Sequence, residues 1–139
     1  MRKLIGALLL VAATACKGGE STGPGGGSAS LAGTYSLQTA NGKAVPTIAI
    51  QDLSGTFEVL SGKVVLNANS TYMDILSYRT TASGSTDPQT LTDTLQGTYV
   101  QLGDNVTLTS SGGSVYSMSW IDGNKLAYAE SQLTLIYRK

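Results

Sequence analysis

From Leu31 onward the chain is a succession of short apolar–polar alternations, each closed by two or three turn-forming residues. Leu91, Leu95, Gly97 and Tyr99 share one parity and run into Gly103-Asp104-Asn105. Val106 and Leu108 lead to Ser111-Gly112-Gly113, and Tyr116, Met118 and Trp120 lead to Asp122-Gly123-Asn124. Leu126 and Tyr128 reach Glu130-Ser131, and Leu133, Leu135 and Tyr137 close the chain. A period of two puts every second side chain on one face of an extended strand. Turns this short pair each strand with the next one in sequence. Nowhere in 31–139 do apolar residues keep helical spacing over ten or more positions, so the expected class is all-β.

The first half of this region reads the same way. Tyr35 and Leu37 share a face of a first strand, and Asn41-Gly42 marks a turn. Pro46 suits the start or edge of the strand Thr47–Gln51. Phe57–Leu66 is a longer β-run in which Gly62 suggests a bulge or bend. Asn67-Ala68-Asn69-Ser70 turns the chain into Thr71–Thr80, and Thr81–Thr90 reads as the longest loop. This gives eight or nine strands in up-and-down order. An open meander would expose two long edges, and closure into a barrel removes them. A Greek-key sandwich needs long crossovers, for which only Thr81–Thr90 is available, so the barrel is expected.

The N-terminus is an address rather than part of the fold. Arg2 and Lys3 precede an apolar run, Leu4 to Ala13, of signal-peptide length and too short to span a bilayer. Ala13-Thr14-Ala15-Cys16 resembles the bacterial lipobox, with Ala13 where Leu is commonest. That resemblance implies cleavage after Ala15 and lipid attachment to Cys16, the only cysteine. Ordinary secretion by cleavage after the same tripeptide is the alternative. Residues 17–30, KGGESTGPGGGSAS, hold almost no apolar side chain, so nothing there offsets the entropy of ordering. The expected organisation is a signal peptide at 1–15, a lipid-anchored, disordered Gly/Ser-rich tether at 16–30 and one β-domain at 31–139. The expected location is the bacterial cell envelope, with the membrane as partner through Cys16. Lys17, where Asp would resemble an inner-membrane retention signal, points to the outer membrane, facing the periplasm or the cell surface.

Composition narrows the chemistry. Lys plus Arg and Asp plus Glu each number nine, and cleavage before Cys16 would leave seven basic residues against nine acidic ones. Such a chain has no electrostatic footprint for nucleic acid. One cysteine and no histidine rule out an internal disulfide framework and remove the commonest general base and zinc ligands. There is no Gly-x-Ser-x-Gly elbow and no Ser-x-x-Lys pair, so the expectation is no enzyme, no cofactor and no metal. Asp104 and Asp122 read as turn formers. Asp74 and Asp93 lie among apolar residues on strands. If they face inward they need partners, for which Arg79 and Lys63 are the candidates, and otherwise a bulge turns one to solvent.

Leu31-Ala-Gly33-Thr-Tyr35-x-Leu37, then Asn41-Gly42 and Pro46, resembles the opening of bacterial lipocalin-like domains. Leu66-Asn-Ala-Asn-Ser-Thr-Tyr72, Gly97-Thr-Tyr99 and the ending Leu-Thr-Leu-Ile-Tyr-Arg138-Lys are similar to that family too. Tyr35 stands where the family usually has Trp. The resemblance implies that Arg138 lies across Tyr35 as a cation–π contact. It also makes Tyr35, Tyr72, Tyr78, Tyr99, Tyr116, Met118, Trp120 and Tyr128 the candidate barrel lining, either walling a pocket for a small apolar ligand or filling the interior. The first case makes a ligand-binding envelope lipoprotein. The second makes a protein-interaction or structural domain of the envelope, an inhibitor or an assembly subunit.

Overall fold

The computed structural model describes residues 30–139. The expected signal peptide at 1–15, Cys16 and the tether up to residue 29 lie outside the described residues. Ten strands follow one another: β1 (Gly33–Ala40), β2 (Lys43–Ala44), β3 (Thr47–Asp52), β4 (Gly55–Leu66), β5 (Thr71–Ala82), β6 (Gln89–Leu102), β7 (Asn105–Ser110), β8 (Val115–Ile121), β9 (Lys125–Glu130) and β10 (Leu133–Arg138). The described residues contain no helix. The strands form one antiparallel sheet in which β4 to β10 pair in sequence order. β10 then pairs with β1, and β1 pairs with β4 from Gly33↔Leu66 to Ser36↔Lys63, closing the sheet. The result is an eight-stranded up-and-down barrel, consistent with a lipocalin-like architecture, with β2 and β3 appended to β1 and β4.

Turn chemistry sets the order. Asn41-Gly42 and Asp122-Gly123 both place two successive residues at positive φ, the backbone that tight hairpins between twisted strands require. Asn41 also holds that corner together. Its amide donates to the carbonyls of Ala49 and Gln132, and its side-chain oxygen accepts the N–H of Thr134 at 2.7 Å.

Two features of the first half differ from the sequence expectation. The β4 bulge sits at Leu60, between the pairs Val59↔Tyr78 and Ser61↔Ser77, not at Gly62. Gly62 instead makes room: a Cβ there would lie 3.1–3.2 Å from the side chains of Leu37 and Tyr137, which pack onto its bare backbone. The loop expected over Thr81–Thr90 is only residues 83–88, because β5 and β6 keep pairing up to Thr80↔Gln89. Their Thr-rich ends suit extended backbone without needing a buried face.

The strand registers sort the connections into two ends. Ser30, the C-terminus and the turns at 67–70, 103–104 and 122–124 lie at one end. The connections at 41–46, 53–54, 83–88, 111–114 and 131–132 lie at the other. The first end is packed solid. Tyr35, Val64, Leu66, Tyr72, Val106, Leu108, Met118, Leu126 and Tyr137 are all at most 3 % exposed and form one cluster, against which Trp120 packs. Each such side chain contributes about 1.5–3 kcal/mol of burial free energy. The Tyr35 hydroxyl donates to the carbonyl of Leu31 at 2.7 Å, so the entering chain is bound to the core it covers.

Candidate functional site

At the opposite end the interior is not filled. A cavity of about 400 Å³, open at that end, is bounded by inward residues of β5, β6, β8, β9 and β10. Met118 and Tyr137, from the packed cluster, also line it. Leu76, Leu95, Leu133 and Leu135 give it apolar walls, and the rings of Tyr116 and Tyr128 meet edge to face, 6.0 Å between centroids. The wall is low on one side. β7 pairs with Gly97–Leu102 of β6 and Ser111 bonds the Gln96 carbonyl, so Gln89–Leu95 continues past β7 as an exposed strand toward the open end.

Three carboxylates face inward here, and each accepts a hydrogen bond from a tyrosine. Tyr116 donates to Asp74 Oδ2 at 2.9 Å, Tyr78 to Asp93 Oδ2 at 3.0 Å, and Tyr128 to Glu130 Oε2 at 2.6 Å. Asp74 and Asp93 are thus both inward and both partnered. The β5–β6 register runs without a bulge from Thr71↔Thr98 to Thr80↔Gln89, so neither carboxylate is moved to the outer face, and Asp93 meets solvent only at the low wall. Arg79 and Lys63 are not their partners. Strict alternation places both outside, where Arg79 bonds Glu58 at 3.1 Å.

Asp74 is the most enclosed of the three. Burial raises its carboxyl above the usual carboxylate range, against the opposing effect of the Tyr116 hydrogen bond. Its Oδ1 is buried and has no hydrogen-bond partner. The hydroxyl of Tyr72, a residue 3 % exposed, lies beside Tyr116 and also closes no hydrogen bond. Burial first, and then the Asp74 charge, push the Tyr116 hydroxyl strongly up. Tyr128 is pushed up to about 12 by burial and by its bond to Glu130. At neutral pH these phenols are therefore protonated donors.

Of the eight side chains expected to line the barrel, Tyr116, Met118 and Tyr128 border the cavity. Tyr78 stands at its edge, bonded to Asp93 and stacked at 4.9 Å on Phe57. Tyr35, Tyr72 and Trp120 belong to the packed end. Tyr99 closes that end from β6, donating to the carbonyl of Asn67 at 2.7 Å. The interior is thus filled at one end, while at the other Leu37, Ala40 and Val59 fill the β1–β4 side and the hollow lies against β5, β6 and β8 to β10. Leu133, Leu135 and Tyr137, whose alternation puts them on one face, also line it, as does Glu130, which reads in the sequence as a turn residue and instead ends β9.

The cation over Tyr35 is Lys139, not Arg138. Lys139 Nζ lies 5.4 Å from the ring centroid and donates to the carbonyl of Ser30, while Arg138 is exposed on the outer wall. The reason is parity: Leu133, Leu135 and Tyr137 point in, so the next inward position is residue 139. Gly33 leaves the space that the Lys139 stem occupies.

Among the described residues, no group of three or more metal-ligating side chains is close enough to hold an ion. A scan against protein-family models finds no match, and neither does a search of curated proteins.

Proposed function

We propose that this chain is a non-enzymatic, lipid-anchored lipoprotein of the bacterial cell envelope whose lipocalin-like barrel holds a small molecule in its hollow half. The observation that carries the reading is the cavity. Its volume of about 400 Å³ falls within the range of small-ligand sites, about 300–1,000 Å³, and its walls combine apolar side chains with a few inward polar groups. Anchoring rests on the Arg2-Lys3 start, the short apolar run and the lone Cys16 after Ala13-Thr14-Ala15.

A soluble form starting at residue 17 keeps every strand and core residue described and suits the test. Native mass spectrometry of that form, purified gently from its host, is expected to show a reproducible added mass that organic extraction removes. No added mass, together with no thermal shift across a metabolite panel, would sink the carrier reading.

A second reading has one observation in its favour. The stretch of β6 beyond β7, Gln89–Leu95, offers backbone groups to an added strand of a protein partner. An empty barrel that co-purifies with one stoichiometric protein would select that reading.

A further inference from the structure

We propose that the cavity is selective for organic cations: its ligand is an amine with an apolar or aromatic body, held by the ammonium group against Asp74 and drawn in past Asp93 and Glu130. This inference rests on the barrel being a small-molecule site and names the chemistry of what enters it.

The argument begins with the distribution of charge. The described cations are Lys43, Lys63, Arg79, Lys125, Arg138 and Lys139, and none of them borders the cavity. Arg79 is paired with Glu58 on the outer wall, Lys125 with Asp122, and Lys139 is spent on Tyr35 and Ser30 at the packed end. Three carboxylates nevertheless border the hollow. An anionic ligand would meet three like charges and no counter-charge, and at the enclosed Asp74 the lower dielectric magnifies the repulsion.

Hydrogen-bonding capacity points the same way. An ionised carboxylate only accepts, and a phenol has one proton to donate. Tyr116, Tyr78 and Tyr128 have each given that proton to a carboxylate. Each of these carboxylates keeps a second oxygen outside the tyrosine bond, and that of Asp74, Oδ1, is buried without any partner. Beyond the hydroxyls of Ser114 and Tyr72, what the cavity lacks is therefore a charged donor to match its carboxylates. An ammonium supplies three N–H donors and one charge, and the faces of Tyr116 and Tyr128 add cation–π attraction.

The carboxylates do not converge on one point, since no group of them qualifies as a metal site among the described residues. A bare metal ion is too small to use them together. The four leucines on the walls would be left against water by a small hydrophilic cation. An amine carrying a ring or short hydrocarbon satisfies both halves of the lining.

The test uses three compounds sharing one ring system: tryptamine as the cation, indole propionate as the anion and skatole as the neutral analogue. Each is titrated calorimetrically at neutral pH into the soluble form starting at residue 17. Tryptamine is expected to bind one to one, with indole propionate at least about tenfold weaker. Asp74→Asn, which keeps an oxygen for Tyr116, is expected to weaken tryptamine by about 10- to 100-fold and leave skatole unchanged. The double variant Asp93→Asn with Glu130→Gln alters only exposed side chains, so its folding is secure. It is expected to weaken tryptamine and to flatten its salt dependence. Indole propionate or skatole binding as tightly as tryptamine overturns the cation assignment while leaving a small-molecule site. Unchanged tryptamine affinity in both variants overturns it equally. No binding by any of the three overturns the assignment and the pocket reading together.

Discussion

Gly97 lies on β6 where the inward face crosses from the hollow half to the packed half, opposite Tyr72 on β5 and Ser110 on β7. A Cβ built on it would stand 1.9 Å from the Thr109 carbonyl oxygen and 2.9 Å from Ser110 Cα. Both are backbone atoms of the paired strand, so no side-chain rotation relieves the overlap. The Gly97→Ala variant must push β7 away by about 1 Å or more, and overpacking of this kind costs about 1–3 kcal/mol. Ladder hydrogen bonds around Gly97↔Ser110 stretch with it, at about 1 kcal/mol each. The expected loss is about 3–5 kcal/mol, a large share of the roughly 5–15 kcal/mol available to a domain of this size. With about 4–8 °C of Tm per kcal/mol, melting should fall by at least ~12 °C. Urea unfolding followed by Trp120 fluorescence measures the loss directly. Gly84→Ala is the control: it has positive φ but nothing within 4 Å of its Cβ, and should cost about 1 kcal/mol. A Gly97→Ala protein within 1 kcal/mol of its parent would refute the claim that β7 seats directly on this bare backbone.

Because burial raises the Asp74 carboxyl, the folded chain holds that proton at pH values where the unfolded chain, near 3.8, has released it. Stability from this group is therefore present below 3.8 and lost as pH rises through the raised value. Asp74→Asn should remove that loss, melting higher than the parent at neutral pH and alike in acid; a lower neutral melting temperature would contradict it. Tyr35→Phe should cost about 1–2 kcal/mol in urea titration, because the Leu31 carbonyl loses its buried donor. Lys139→Ala should cost at most about 1 kcal/mol and Arg138→Ala nothing measurable, and the reverse order would restore Arg138 as the Tyr35 partner. Cys16→Ser is expected to move the chain out of the membrane fraction, and a variant that still sediments with membranes would end the lipid-anchor reading.

The C-terminal meander was legible because its signals are local. Asp122-Gly123 carries the backbone freedom its hairpin needs, and Leu133, Leu135 and Tyr137 state their common face by alternation alone. The same alternation carried one step further would have assigned Lys139 rather than Arg138 to Tyr35. The ends of β5 and β6 were not legible, since Thr80-Thr81-Ala82 and Gln89-Thr90 carry no large apolar side chain to mark a face. The Leu60 bulge was hidden for another reason: bulges follow from how two strands fit, and the glycine two residues on serves instead to seat Leu37 and Tyr137 inside the barrel. Asp74 and Asp93 stood out in the sequence as carboxylates in apolar company. Their tyrosine partners did not, because Tyr116 lies 42 residues from Asp74 and meets it only across the closed barrel.

Ser30 enters the barrel at its packed end, and the cavity opens at the other. A twelve-residue strand such as β5, at a rise of about 3.4 Å per residue and tilted roughly 40°, spans about 30 Å along the barrel axis. When a chain held to lipid through its N-terminus stands with its packed end toward the bilayer, that height lies between the headgroups and the mouth. It is about three times the distance over which salt at physiological strength screens a charge, roughly 8–10 Å. The carboxylates at the opening would then compete for cations with the surrounding aqueous space and not with the lipid surface. The domain would sample solutes as a probe raised on a post, indifferent to the charge of the membrane beneath it.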